Sequence, residues 1–233
     1  MTDLSCYFKL DNRFYYQEVF TMAFDGFVIS NIISELNKQI IGGRIYKIYQ
    51  PEADEITLVI KKERLTTRLH LSASASLPLV YLSKEGKANP MQAPNFCMLL
   101  RKHISSGRII SITQPDFERI IEIKIEHLDE LGDVCQKRLI IEIMGKHSNI
   151  IFVNSDDVIL DSIKHISANI SSVREVLPGR AYTFPPSKGK HPLASLTADD
   201  FYQHIIKKPL NLCKALYTSI TGMSPLIANE LCY

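Results

Sequence analysis

Apolar residues recur at helical spacing in the stretch FVISNIISELNKQII, residues 27 to 41. The positions follow the i, i+3, i+4, i+7 rule for one helix face: Ile29, Ile32, Ile33, Leu36 and Ile40. Asp25 stands where an N-cap is expected, and Gly42-Gly43 suits the C-terminal end. The strand-like runs RIYKIY, EITLVI, TRLHLS and PLVYLS follow. The pattern therefore predicts one helix and then an antiparallel sheet.

The same plan restarts sixty-four residues further along the chain. GGRIYKIYQP, from Gly42, returns as SGRIISITQP, from Ser106, and NFCMLLRKHI precedes the second copy as a helix. Four more strand-like runs follow: RIISIT, ERIIEIKI, KRLIIEIM and SNIIFV. We therefore predict an α+β fold of two pseudo-repeated helix-plus-antiparallel-sheet units. The units should form a β-sandwich-like domain, with two sheets packed face to face and helices at the flanks.

A composition break at LPGRAYTFPPSKGKHP, residues 177 to 192, indicates a connector. Beyond it the sequence is helical, and Thr197 with Asp200 has the spacing of a capping box. ITGMSPLIANEL has the outline of a helix-hairpin-helix, because Gly222 permits a tight turn and Ser224 suits a helix N-cap. Such a turn binds nucleic-acid phosphate in some proteins and is a plain connection in others.

These boundaries divide the chain into three parts. We expect residues 1–21 to be a poorly ordered N-terminal extension, residues 22–186 the sheet domain and residues 187–233 the start of a helical domain. The chain stops within an apolar helical run that has no cap, so we expect the sequence to be a piece of a longer protein.

Composition narrows the class of protein. The 233 residues are 45% hydrophobic and 22% charged, with a net charge of +2, which is too mild to indicate nucleic-acid binding from charge alone. No apolar run reaches the length of about 18 residues that a membrane span needs, and the N-terminus lacks the apolar core of a secretory signal. The five cysteines form no C-x-x-C pair. We therefore predict a cytoplasmic protein without a metal or cofactor.

Two polar clusters are candidates for ligand contact. The turn MGKHSN would display four hydrogen-bonding side chains between two strands: Lys146, His147, Ser148 and Asn149. The second helix carries a basic group opposite its apolar face: Arg101, Lys102 and His103. The alternatives are a solvated hairpin for the first cluster and a charged outer face for the second.

The pair Glu118-Arg119 distinguishes the second repeat from the first, which has Asp54-Glu55 at the same offset. Neighbours in a regular strand point to opposite faces, so the two act together only if the strand entry bends at the preceding QPDF. Arginine suits a planar, bidentate contact with a phosphate or a base edge. The alternative is a surface ion pair that contributes little.

Several ordered motifs together resemble the N-terminal region of the NFACT family: MAFDG, GGRIYKIYQP, FCMLLRKHI, RIISITQPDFERI, EIMGKHSNIIFV, IKHI and LPGRAYTFPP. The resemblance runs from Met22 to about Pro186. Bacterial members are RqcH-type ribosome quality-control factors, formerly called fibronectin-binding protein A-like. The resemblance implies a fold related to the N-terminal domain of formamidopyrimidine-DNA glycosylases, followed by a helical domain with the helix-hairpin-helix.

The resemblance also implies a function. Family members bind a large ribosomal subunit that still holds peptidyl-tRNA and recruit alanyl-tRNA for template-free alanine tailing. An aspartate in MAFDG and an Asp-Arg pair serve that function, and Asp25 and Arg119 match them. Glu118 replaces the usual aspartate of the pair. The predicted RNA-binding residues are these three with the two polar clusters and Gly222.

Two other functions remain open. A DNA-repair glycosylase on the related fold would need an N-terminal proline as nucleophile, and neither Met1-Thr2 nor Met22-Ala23 offers one. A surface adhesin for fibronectin would need a signal peptide and an anchoring segment. We therefore predict an RNA-binding protein that is not an enzyme. Its expected partners are the large ribosomal subunit and tRNA, and DNA and membranes are not among them.

Overall fold

The computed structural model describes residues 24–187 and 189–233, so the predicted extension at residues 1–21 lies outside the described residues. Helix α1 spans Gly26–Ile40 and is capped by Asp25, as its sequence predicts. Its buried face consists of the apolar positions Ile29, Ile33, Leu36 and Ile40, together with Gly26. Helix α2 spans Asn95–Ile104 in the second repeat and buries the equivalent face.

Nine antiparallel strands occur in the described part of the chain, and they form one sheet. They are β1 Arg44–Tyr49, β2 Glu55–Lys62, β3 Leu65–Ser72, β4 Leu79–Ser83, β5 Arg108–Thr113, β6 Ile120–Leu128, β7 Val134–Glu142, β8 Asn149–Val153 and β9 Ile159–Ser162. Their order across the sheet is β4-β3-β2-β1-β5-β6-β7-β8-β9. The prediction of two separate sheets packed face to face is wrong, because β1 of the first repeat pairs with β5 of the second.

The repeated segment forms the seam between the two halves of this sheet. Gly42 N donates to the Ile109 carbonyl at 2.9 Å, and Ser106 N donates to the Ile45 carbonyl at 2.8 Å. The reciprocal pair joins Ile45 N to the Gly107 carbonyl and Ile109 N to the Gly43 carbonyl, each at 2.9 Å. Each bond joins a residue of one copy to a residue of the other, and exchanging the copies maps the bonds onto one another. The duplication is therefore structural: each copy is the pairing partner of the other.

The two helices pack across this seam. Helix α1 of the first repeat contacts β5 and β6, while α2 of the second repeat contacts β1 as well as β6. The largest buried cluster accordingly mixes apolar side chains from both repeats, among them Leu36, Ile45, Leu100 and Ile109. Since neither half buries its apolar face alone, we infer that the two repeats fold as one domain.

Shorter helices follow the connector. Helix α3 spans Ala198–Phe201 and continues as a wider, π-helical turn over Tyr202–Ile206. Thr197 and Asp200 form the predicted capping box. Helices α4, Leu212–Ser219, and α5, Pro225–Cys232, are joined by a turn that contains Gly222. Within residues 24–187 and 189–233, no helix has the length and apolar character needed to cross a membrane.

Candidate functional site

A cavity of about 570 Å³ lies where the sheet domain meets the C-terminal helices. It is lined by the start of α1, the entry to β6, the turn before β8, the connector and the turn between α4 and α5. Five of the predicted site residues line it: Asp25, Glu118, Arg119, His147 and Gly222. These residues span almost two hundred positions of the sequence, and folding brings them to one place.

Asp25 connects the N-termini of two helices. One carboxylate oxygen, Oδ1, accepts from the Val28 amide of α1 at 3.0 Å. The other, Oδ2, accepts from the Ser224 hydroxyl at 2.6 Å, and Ser224 Oγ in turn accepts from the Ile227 amide of α5 at 3.2 Å. Asp25 is only 4% exposed. Both of its oxygens are thus bonded inside the protein, and its immediate role is to hold α5 against α1.

Two glycines make this approach of the helices possible. Gly26 N donates to the Gly222 carbonyl at 2.7 Å. A Cβ on Gly26 would lie 2.5 Å from the Phe117 carbonyl oxygen, and a Cβ on Gly222 would overlap the same oxygen. Gly222 also has a φ of +71°, which favours glycine. The turn between α4 and α5 therefore packs backbone to backbone against the start of α1.

The entry to β6 bends as the QPDF sequence predicts. Asp116 and Phe117 both have left-handed backbone angles, with φ of 45° and 60°, and Glu118 N donates back to the Pro115 carbonyl at 2.8 Å. Such angles in non-glycine residues cost about 1 kcal/mol or more each. Gln114 stabilises the bend through 2.9 Å bonds from Nε2 to the carbonyls of Gly26 and Glu118. Phe117 also packs edge-on against Phe27 of α1.

The bend places Glu118 and Arg119 ahead of the regular strand, where both line the cavity. Burial raises the pKa of the Glu118 carboxyl, and the positive charge of Arg119 opposes that shift. The Arg119 carbonyl accepts from Ile143 N at 2.9 Å, which fixes its backbone to the sheet. Within the described residues the Arg119 guanidinium forms no hydrogen bond or ion pair, so it is available to a ligand.

The turn before β8 differs from its prediction. Lys146 and His147 are exposed, and His147 lines the cavity. Ser148 and Asn149 are buried instead of displayed, since Ser148 Oγ accepts from the Met144 amide at 2.8 Å. Asn149 bonds both the amide and the carbonyl of Lys164, at 3.1 Å and 2.9 Å. The prediction that all four side chains are displayed is wrong, because backbone groups of the turn and of a neighbouring loop bind two of them.

The basic cluster of α2 does not line the cavity. Arg101 Nε donates to the Ile48 carbonyl at 2.8 Å, which joins α2 to β1. Lys102 forms an exposed 3.4 Å ion pair with Glu130. His103 is half-buried, and burial lowers its pKa. Arg101 thus has a structural contact, and the three residues form a surface separate from the site.

A buried ion pair beneath the cavity was not among the predicted residues. Arg174, which lines the cavity, donates from Nη2 to Glu142 Oε2 and from Nη1 to the Thr183 carbonyl. The Tyr182 hydroxyl donates to the other Glu142 oxygen at 3.0 Å. Burial raises the pKa values of Glu142 and Tyr182. The sequence signal was Glu142 itself, the one charged residue in the run LIIEIM, which a buried strand tolerates only with a partner.

The cavity combines an available arginine, a half-buried carboxyl and an exposed imidazole with apolar walls that include Met144 and Met223. Such a set can hold a planar polar ligand through hydrogen bonds at its edge and packing against its faces. Throughout residues 24–187 and 189–233, no group of three or more His, Cys, Asp or Glu side chains is arranged to hold a metal ion.

Sequence comparisons identify relatives of this chain among known proteins. The chain is 39% identical over 210 residues to the Rqc2 homolog RqcH of Bacillus subtilis, covering 90% of this chain and 37% of that protein. A more distant relative is the human ribosome quality control complex subunit NEMF, 24% identical over 71% of this chain and 14% of its own length. The chain therefore spans a little over a third of the bacterial relative.

A solved structure has the same fold. The N-terminal domain of fibronectin-binding protein PavA from Streptococcus pneumoniae superposes with a TM-score of 0.81 at 38% identity, covering 89% of this chain and 78% of that one. Residues 25–233 match the family described as NFACT N-terminal and middle domains. The matched region includes the sheet and the C-terminal helices that together form the cavity. Because the match covers most of the chain, the chain belongs to the NFACT family.

Proposed function

We propose that this chain is the RNA-binding part of a ribosome quality-control factor, and that the cavity contacts tRNA on the large ribosomal subunit. In the finer form of the proposal, the factor binds stalled large subunits with peptidyl-tRNA and recruits alanyl-tRNA for C-terminal alanine tailing. The names of the bacterial and human relatives support a role in ribosome quality control. The role is binding, not catalysis, and its place is the cytoplasm, where ribosomes work.

One observation carries the proposal: the fold brings Asp25, Glu118, Arg119, His147 and Gly222 to a single cavity. Arg119 offers a planar fork of N–H donors that matches a phosphate or the edge of a purine base. Glu118 beside it offers an acceptor, so the pair is complementary to a base edge that carries both donors and acceptors. RNA-binding proteins read unpaired bases in this way, against apolar or aromatic walls.

The test is to sequence the RNA that co-purifies with the tagged protein, as wild type, Arg119→Ala and Arg64→Ala. Arg64 is an exposed arginine at the turn between β2 and β3, so its variant controls for the loss of one positive charge. We expect tRNA and large-subunit RNA to be enriched with wild type and Arg64→Ala. Arg119→Ala should lose the tRNA. Because the chain spans a little over a third of the bacterial relative, contacts are fewer and binding of this part alone should be weak, so the RNA is crosslinked to the protein before purification.

Two results would reject the proposal. Equal tRNA recovery with wild type and Arg119→Ala would place the RNA contact elsewhere. No RNA above background with any variant would reopen the other functions. The name of the Streptococcus pneumoniae structure favours fibronectin as the second candidate ligand, and cell fractionation with surface labelling tests that alternative. Binding to duplex DNA with an oxidised base would instead favour a glycosylase-like DNA binder.

A further inference from the structure

We propose that Arg174 is a second RNA-binding arginine of the cavity, that it contacts a backbone phosphate, and that the buried Glu142 and Tyr182 hold it in position. This inference rests on the proposed function, since it names a further contact in the same cavity. Glu142 and Tyr182 lie within the motifs EIMGKHSNIIFV and LPGRAYTFPP, and Arg174 lies outside every motif, but none of the three is among the predicted RNA-binding residues.

Hydrogen bonds within the protein fix the position of the Arg174 side chain. Its side chain is 17% exposed, and it lines the cavity from the connector side. The guanidinium is bound at one terminal nitrogen by Glu142 and at the other by the Thr183 carbonyl. A guanidinium has five N–H donors, so donors remain for a ligand after these two bonds. An arginine held in this way loses little side-chain freedom when it binds, which favours affinity.

Glu142 is a charged residue buried within the sheet. It is 1% exposed and lies at the end of β7, between Ile120 of β6 and the buried Asn149 of β8. Burying a carboxylate is costly unless it is paired and hydrogen-bonded, and Arg174 and Tyr182 supply those partners. The same ladder fixes Arg119, whose carbonyl accepts from Ile143, the residue after Glu142. One stretch of sheet therefore sets the backbone of Arg119 and the guanidinium of Arg174.

The hydrogen-bonding character of the cavity favours a phosphate as the ligand of Arg174. The carboxylates of Asp25 and Glu142 each accept on both oxygens from protein groups. Glu118 also lines the cavity, beside Arg119, and Arg119 and Arg174 both present donors there. A nucleotide whose base edge meets Glu118 and Arg119 would carry its phosphate towards a second donor. An arginine fork matches phosphate oxygens in geometry as well as charge.

The experiment compares two variants that leave no unpaired buried carboxylate: Glu142→Gln, which retains Arg174, and the double variant Glu142→Gln/Arg174→Gln, which lacks it. Binding of deacylated tRNA is measured by fluorescence anisotropy at several salt concentrations, with Arg180→Gln as a control in the same segment. Arg180 is exposed and pairs with Glu175 outside the cavity. We expect the double variant to bind about tenfold more weakly than Glu142→Gln. Its slope of log K against log salt should fall by about 0.7, the value for one lost phosphate contact.

A second measurement follows the Nε–Hε signal of Arg174 in ¹⁵N spectra of the wild-type chain. It should shift on addition of tRNA and far less on addition of inorganic phosphate at the same phosphate concentration, which separates an RNA strand from a free anion. Tyr182→Phe should weaken tRNA binding with an unchanged salt slope, because the charge of Arg174 stays while its support loosens.

The outcomes are distinguishable. Equal affinity and equal salt slope for Glu142→Gln and the double variant would overturn the role of Arg174, while loss of binding in Arg119→Ala would leave the proposed function standing. An Arg174 signal that responds equally to phosphate and tRNA would also overturn it, since the subsite would then be a general anion site. Absence of tRNA binding by the wild type would reject the proposed function and this inference together.

Discussion

The Ser224 hydroxyl donates a 2.6 Å hydrogen bond to Asp25 Oδ2, although 199 positions of sequence separate the two residues. Each residue is also the N-cap of its own helix, Asp25 for α1 and Ser224 for α5. The bond therefore joins the first helix of the sheet domain to the last helix of the chain at their N-termini. It closes one wall of the cavity, so the geometry of the site depends on how the C-terminal helices are held.

This relationship predicts thermodynamic coupling between Asp25 and Ser224. Asp25→Ala and Ser224→Ala should each destabilise the protein by about 1–2 kcal/mol through loss of an N-cap. The double variant should cost less than the sum, with a coupling energy of about 1 kcal/mol. Urea unfolding of the four proteins of the cycle measures it. Thr197→Ala serves as a control, because it removes the cap of α3, which has no bond to Asp25. The losses of stability caused by Thr197→Ala and Asp25→Ala should add within about 0.5 kcal/mol. Additivity at Ser224 as well would show that the bond does not couple the helices.

A substitution at Gly222 should reduce stability more than loss of an N-cap does, because the backbone of this turn packs directly against its neighbours. Gly222→Ala should lose stability for two reasons: a φ of +71°, and a Cβ that overlaps the Phe117 carbonyl oxygen. Gly179→Ala separates the backbone strain from the steric overlap, because Gly179 has a φ of +81° but nothing lies within 4 Å of the added Cβ. The control should cost about 1–2 kcal/mol, the penalty of the left-handed conformation. Thermal unfolding should show Gly222→Ala costing at least about 1 kcal/mol more. Equal costs would mean that the turn moves freely from α1.

Local sequence predicted the elements that depend on local chemistry. The cap at Asp25, the capping box at Thr197 and the bend before Glu118 each follow from residue types within a few positions of each other. The repeat also followed from the sequence, because both copies keep the same apolar and glycine positions.

The errors concern contacts between distant backbone groups. The single sheet results from backbone hydrogen bonds between residues 42–45 and 106–109, and side-chain periodicity does not record which strand edges pair. Burial of Ser148 and Asn149 has a related cause, since backbone amides and carbonyls bind their side chains. The partner of Glu142 could not be identified from the sequence either, because Arg174 lies 32 positions away, in the irregular segment between β9 and the connector.

The turn before β8 predicts that neighbouring residues have different roles. Ser148→Ala should destabilise the fold by about 1–2 kcal/mol, because the Met144 amide loses its acceptor. His147→Ala, at an exposed position that lines the cavity, should change stability by less than about 0.5 kcal/mol. The tRNA affinity of the folded protein should fall for His147→Ala and stay the same for Ser148→Ala. Unfolding curves and tRNA titrations of the same samples test this, and the reverse pattern would contradict the assignment.

Glu118 predicts how pH affects stability. Burial raises the pKa of its carboxyl in the folded protein above the ordinary glutamate value of about 4.3, so the folded state binds more protons than the unfolded state in this range. A raised acid pKa favours folding when the carboxyl is protonated, and that contribution is lost as the pH rises from the unfolded pKa through the folded one. Glu118→Gln has no proton to lose. Its unfolding free energy relative to wild type should therefore increase between about pH 4 and pH 7. Urea unfolding at a series of pH values measures the difference, and a ¹³C NMR titration of the Glu118 carboxyl checks the cause. Stability curves that stay parallel over this range would show that Glu118 ionises as freely in the folded protein as in the unfolded chain.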